Sequence, residues 1–321
     1  MSLPTNSPRN ADLRPAVPVT SSVPGARQWP ASVRYARLPT GSRRYSRLEV
    51  CATERGAFTI VELLALIFTT GLLASMMVTS LTATRADLAA VQCRNHLRQL
   101  TVAWDMYSSD NRGQLVFNTD GPQAGLKAGN EAWVVGSMID FTGSDCTNIA
   151  MLIDHIRYPF GAYLGPYLHA AQVFKCPADK FLLRIAGVQV PRVRSVSMNN
   201  FVGRNSRTWQ AHSKYLLCTN AAQIRFPAGM VIFLDESELS IGDGWFASNP
   251  DTPFQLIDYP AAYHNCGGSF SFADGHCEIR HWRDRRTIPL PGQLVPLAPT
   301  LTNDSDVLWL QQRAAGVPSF P

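Results

Sequence analysis

The chain has 321 residues, 45% hydrophobic and 17% charged, enough for one medium domain with a core and appendages. Its net charge of +5 is unevenly placed: residues 1–57 hold nine arginines against Asp12, Glu49 and Glu54, a net +6, which leaves −1 for all that follows. The body of the chain therefore lacks the basic balance that nucleic-acid recognition requires, and no nucleic-acid partner is expected.

Residues 1–57 are rich in Pro, Ser, Thr and Arg and show no apolar period, which predicts a disordered basic leader. The next 27 residues, 58–84, carry Glu62 as their sole charge. A membrane-crossing helix needs about 20 apolar residues, so 58–83 predicts a single transmembrane segment. The arginines ahead of it place the N-terminus in the cytoplasm. A carboxylate inside such a segment is costly, which marks Glu62 as a functional residue. The helix continues beyond the span. Leu88, Val91, Cys93, Leu97, Leu100, Trp104 and Tyr107 recur at three- and four-residue steps, with Arg85, Asp87, Arg94, Arg98 and Gln99 opposite them. Asp110-Asn111-Arg112-Gly113 supplies the stop. The spacing thus predicts one long helix over 58–110, its first half suited to lipid and its second to packing on a soluble domain.

Residues 111–286 read as that domain, of α+β class. Trp133–Val135 reads as a short strand. The stretch 148–168 has helical spacing interrupted by Pro159 and Pro166, which predicts a short or broken helix. Val196–Phe201 and Met230–Leu234 read as strands, the second buried. Residues 268–273 alternate Ser-Phe-Ser-Phe, a half-buried strand; Asp274-Gly275 signals a hairpin turn and 276–282 alternates again. Residues 287–321 carry six prolines and little periodicity, which predicts an extended or partly disordered tail.

The run Gly56-Ala57-Phe58-Thr59-Ile60-Val61-Glu62-Leu63-Leu64 resembles the processing site of type IV prepilins and type II secretion pseudopilins. Ala57 stands where most members of that family carry Gly. Further on, Cys93–Leu100, Phe174-Lys175-Cys176-Pro177-Ala178-Asp179, Ser195–Asn199, Asp235-Glu236, Asp243-Gly244 and His264-x9-Asp274-Gly275 are similar to pseudopilin-like proteins with a C-terminal His-x9-Asp-Gly motif. The resemblance implies a pilin-like fold, a long N-terminal helix packed on a domain with an antiparallel sheet. It implies cleavage between Ala57 and Phe58 by a prepilin peptidase, N-methylation of Phe58, and an assembly role for Glu62 as partner of the neighbouring subunit's N-terminal amine. The chain would then be a structural subunit, anchored in the cytoplasmic (inner) membrane with its domain in the periplasm. Its partners would be the peptidase and other pseudopilins, and it would have no catalysis of its own.

Of the seven cysteines, Cys51 precedes that cut and six remain. The resemblance implies that Cys93 and Cys176 approach one another; a disulfide and two buried thiols are the two readings of that pair. No C-x-x-C, H-E-x-x-H, G-x-S-x-G or phosphate loop occurs. In a hairpin, His264 and Asp274 fall at opposite ends of a strand about 20 Å long, which favours a structural role for each. His276 and His281, five apart, point to opposite strand faces and share no metal. No metal is therefore expected, except that Asp235, Glu236, Glu238, Asp243 and Asp258 offer oxygens for Ca²⁺; a solvated acidic loop is the plainer reading. Two other functions fit the same chain: a binding module such as an adhesin or polysaccharide binder, marked by exposed Trp209, Trp245 and Trp282, or a tethered metal-dependent hydrolase.

Overall fold

A computed structural model describes residues 59–139, 144–168, 170–204, 213–288 and 296–318, without the side chains of 76–87. The leader, Ala57, Phe58 and Trp209 lie outside the described residues.

The long helix α1 runs Ile60–Asp110, 51 residues, or about 77 Å at 1.5 Å per residue. Thr59 caps it: its hydroxyl accepts from Glu62 N–H at 3.3 Å, while Glu62 Oε2 accepts from the Thr59 N–H at 2.9 Å. This is a reciprocal capping box. Residues 60–75 are exposed although nearly all apolar. From Cys93 onward one face is buried, with Leu97, Leu100, Trp104 and Tyr107 in the core. Among the described residues no helix is long and apolar enough to cross a membrane. The expected span, 58–83, takes in residue 58 and side chains that lie outside the description.

The body is a mixed α and β structure. A five-stranded sheet has the order β5-β3-β4-β6-β7: β3 Val196–Asn199, β4 Val231–Asp235, β5 Trp245–Phe246, β6 Gly267–Phe272 and β7 Cys277–His281. All neighbours are antiparallel except β3 and β5. A separate hairpin pairs β1 Leu182–Ile185 with β2 Val188–Pro191 around Ala186 and Gly187, both at positive φ. Helix α2 is a single turn, Ala150–Ile153, and a 3-10 turn follows at Gly165–Tyr167, as the prolines lead one to expect.

The sheet is covered on both faces. On one side α1 packs against β4, β6 and β7, and its core residues meet Val196, Met198, Ile232 and Phe233. On the other, Val231, Leu234, Phe270, Phe272 and Trp282 meet α3, Ser305–Ala315, through Val307 and Leu310. Ser269 and Ser271 are therefore fully buried, not at the solvent face that alternation alone suggests. With phenylalanines filling one side of β6, the small serines are left toward α1 and let the helix lie close.

Two expectations are corrected. Trp133–Val135 is buried but forms no strand; Trp133 is held by its indole N–H to Gly244 O at 2.8 Å and by rings at Phe174 and Phe233. Residues 305–315 are helical within a stretch expected to be extended. Asp304 caps that helix by accepting from the Asp306 and Val307 N–H groups, and Gly316 at φ 63° ends it. The β1–β2 hairpin was not foreseen, because two four-residue strands leave almost no period to read.

Candidate functional site

At the start of α1 the one described residue of the processing and assembly set is Glu62; Ala57 and Phe58 precede the description. Its carboxylate is engaged locally, by Thr59 N–H and Thr59 Oγ1, both at 2.9 Å.

The His-x9-Asp-Gly residues separate. Asp274 and Gly275 lie in the loop joining β6 to β7, where Gly275 N–H donates to Phe272 O at 2.9 Å and Phe272 N–H to His276 O at 3.0 Å. Gly275 alone takes the left-handed region, at φ 88°, so the loop is a turn closed by a glycine bulge rather than a two-residue primed turn. Asp274 Oδ1 accepts from His276 N–H at 3.1 Å and also meets that ring. His264 sits at the other end of β6, in the entering loop, and turns inward. The next two residues, Asn265 and Cys266, both have positive φ (51° and 59°), a backbone cost that the loop's contacts must offset, among them His264 N–H to Gly267 O at 3.0 Å and Trp282 N–H to Cys266 O at 2.9 Å.

What His264 meets was not legible in sequence. Its Nε2 lies 3.2 Å from Cys176 Sγ and 3.7 Å from Asp235 Oδ2. Cys93, from the middle of α1, donates its S–H to the same Asp235 Oδ2 at 2.9 Å. The donor atoms of Cys93, Cys176, Asp235 and His264 all lie within 4.8 Å of one another, and the four residues are buried. Among the described residues no other group of three or more Cys, His, Asp or Glu side chains converges in this way. Each residue arrives from a different element: α1, the turn after the 3-10 segment Ala171–Phe174, the end of β4, and the loop before β6. A second Asp235 oxygen, Oδ1, is buried with no hydrogen-bond partner.

Of the two readings of Cys93 and Cys176, the structure has the buried thiols. The two sulfurs do approach, but both are free thiols, each turned to a polar partner. The Cys93 thiol is pushed well up, first by its hydrogen bond with Cys176 and then by burial and the Asp235 charge. Burial opposes ionisation of Cys176, but the hydrogen bonds from Cys93 and His264 bring its thiol below the ordinary value. Burial lowers His264, yet Asp235 and Cys176 outweigh it and raise the imidazole to about 9. Asp235 and Cys176 address the same ring nitrogen. A nucleophile relay needs the acid on the opposite one, so these residues do not form a Cys-His-Asp relay.

The remaining candidates do not converge on one point, although burial pushes the Glu236 carboxyl up and Asp258 and Asp243 lie near enough to add to that rise. Glu236 Oε1 accepts from the Ser240 hydroxyl, Glu238 from the Tyr263 hydroxyl, Asp243 from the Gly121 and Trp245 N–H groups, and Asp258 from Ala247 N–H. His281 Nδ1 lies 3.2 Å from Asn265 O. Trp245 and Trp282 are buried in the body and present no aromatic surface.

No protein-family model, no curated protein and no solved structure matches this chain.

Proposed function

We propose that the chain is a pilin-like structural subunit, cut before Phe58 by a prepilin peptidase and assembled through α1 into a pseudopilus or related filament. The observation that carries the reading is the division of one continuous helix. Ile60, Val61 and Phe68 are 78%, 74% and 73% exposed, while Leu97 and Leu100, on the same rod, are fully buried. Exposed apolar surface on this scale calls for a cover. Lipid supplies it for the single subunit, and the helices of neighbouring subunits supply it in a filament.

Glu62 then has two partners in succession: Thr59 within the isolated helix, and the freed amine of a neighbour's Phe58 in the filament. The switch exchanges hydrogen bonds from neutral donors for an ion pair with a charged amine. The test is the N-terminal residue of the membrane-extracted protein, read by mass spectrometry with and without the peptidase. N-methylated Phe58 in the first case and an uncut chain in the second is the expected result; a chain that keeps residues 1–57 in both removes the proposal.

A further inference from the structure

We propose that Cys93, Cys176, Asp235 and His264 form a structural zinc site that fastens α1 to the body of the protein. The donor set is two sulfurs, one imidazole nitrogen and one carboxylate oxygen. Zinc binds all three donor types and favours four of them in a closed tetrahedron. With metal–ligand lengths of about 2.0–2.3 Å, the edges of that tetrahedron are about 3.3–3.8 Å. The observed separations of 2.9, 3.2 and 3.7 Å, with all four atoms inside 4.8 Å, bracket this range. Small side-chain adjustments bring the set onto one ion.

Three further observations favour a metal over a plain hydrogen-bonded cluster. The contacts run from Cys93 to Asp235 Oδ2, on to His264 Nε2 and then to Cys176, and the Cys93–Cys176 hydrogen bond closes them into a ring whose four donor atoms lie within 4.8 Å of one another. Asp235 Oδ1 is buried without a donor, an under-satisfied carboxylate that a cation would compensate. Finally, four polar, ionisable side chains share one buried place, a costly arrangement unless a strong interaction offsets it.

The burial also decides the role. Cys93, Cys176 and Asp235 are fully buried and His264 is 6% exposed, so no coordination position is left for substrate, the mark of a structural site. A groove of about 900 Å³ that His264 helps to line, with Arg94, Lys180, Tyr263 and His281, gives the ion a way in. On binding, the Cys93 and Cys176 thiol protons, with the second ring proton of a charged His264, leave to solvent, and both thiolates, the carboxylate and the neutral imidazole take the ion. The proposal rests on the body of the protein and does not depend on the processing of the N-terminus.

The test uses the full chain, extracted in detergent and purified with reduced thiols, no chelator and a tag that does not bind metal. Elemental analysis is expected to find one zinc per chain. Cobalt exchanged for the zinc is expected to give the visible spectrum of a tetrahedral ion with sulfur-to-metal charge transfer. X-ray absorption at the zinc edge is expected to count two sulfurs and two lighter ligands. Cys93→Ser is expected to lose the metal and Cys218→Ser, a buried thiol outside the cluster, to keep it; if Cys93→Ser does not fold, the two spectroscopic readings on the unaltered chain still decide. A chain that takes up no zinc when it is supplied, a cobalt spectrum without sulfur ligation, metal retained by Cys93→Ser, or a Cys93–Cys176 disulfide in the chain as isolated would each overturn the site.

Discussion

At the scale of single residues, Arg192 and Asp179 form a buried pair in which each charge compensates the other. Arg192 Nε donates to Asp179 Oδ2 at 2.9 Å and its NH2 to the Tyr263 hydroxyl at 2.7 Å, with both charged side chains out of solvent. Removing one partner of such a pair strands the other, at a cost of about 3–5 kcal/mol. Arg192→Ala is therefore expected to lower the urea midpoint by that equivalent, and Arg192→Ala with Asp179→Ala by less than the sum of the two. Asp258 behaves in the opposite sense. Burial, helped by Asp243, pushes its carboxyl up to about 7 against the pull of the Ala247 N–H. The folded state then holds this proton more firmly than the unfolded chain does. The stabilisation is complete below the ordinary carboxylate value and is lost as pH rises toward about 7. Denaturation midpoints across that window should fall with pH, and Asp258→Asn should flatten the fall. Glu236, raised by burial and by Asp258, acts in the same direction, so the slope should shrink without vanishing.

At the scale of elements, the C-terminal helix is the sharpest test. Asp304 is fully buried, caps α3 and accepts from the Thr287 hydroxyl at 2.9 Å. Asp304→Ala should cost at least the ~1 kcal/mol typical of a lost cap. Removing residues 305–321 should be far worse, because it uncovers Phe270 and Phe272 and takes from the Asn199 amide one of its two backbone acceptors, Ala314 O at 3.0 Å, leaving Val231 O. A tail that were merely extended would be silent on truncation, so thermal melting of the shortened chain separates the two. In the β6–β7 loop, Gly275→Ala should cost about 1–2 kcal/mol for the left-handed backbone alone, since nothing lies within 4 Å of the added methyl. The contrast between elements shows what a sequence can disclose. The helix α1 and the β6–β7 hairpin follow from local period and turn chemistry, which act over a few residues. The signals for α3, Asp304 and Gly316, are also local, but the six prolines around them mask an eleven-residue helix. Trp133–Val135 has strand composition without a strand, because an indole hydrogen bond and ring packing hold it instead. The Cys93, Cys176, Asp235 and His264 group has no local signature at all. Its members stand 83, 59 and 29 positions apart, and only the packing of α1 on the sheet unites them.

At the scale of the whole molecule, the chain joins an apolar rod to a body whose sheet is covered on both sides. The buried face of α1 begins at Cys93, so a chain that starts at Leu88 is expected to keep its core and to remain in solution without detergent. The chain that starts at Phe58 should need detergent, and sedimentation of the two in plain buffer makes the comparison. Within the proposed filament, Glu62→Ala should leave cleavage before Phe58 intact while reducing recovery of sheared filaments, a pair of readings that separates assembly from processing.

The seating of α1 has a mechanical consequence. In the proposed filament, load would run along the axis, so tension would enter each subunit through the rod and pass into the body. Between Cys93 and Tyr107 the rod packs on β4, β6 and β7, so an axial pull is shared among contacts to three strands. Arg204 ties the far end: its NH2 donates to the Tyr107 hydroxyl at 2.7 Å, its Nε to Leu115 O at 2.8 Å, and its guanidinium lies 3.7 Å over the Phe117 ring. Cys93 ties the near end to Asp235. The helix is thus riveted at both ends of its bed, the arrangement that spreads a force evenly over a joint.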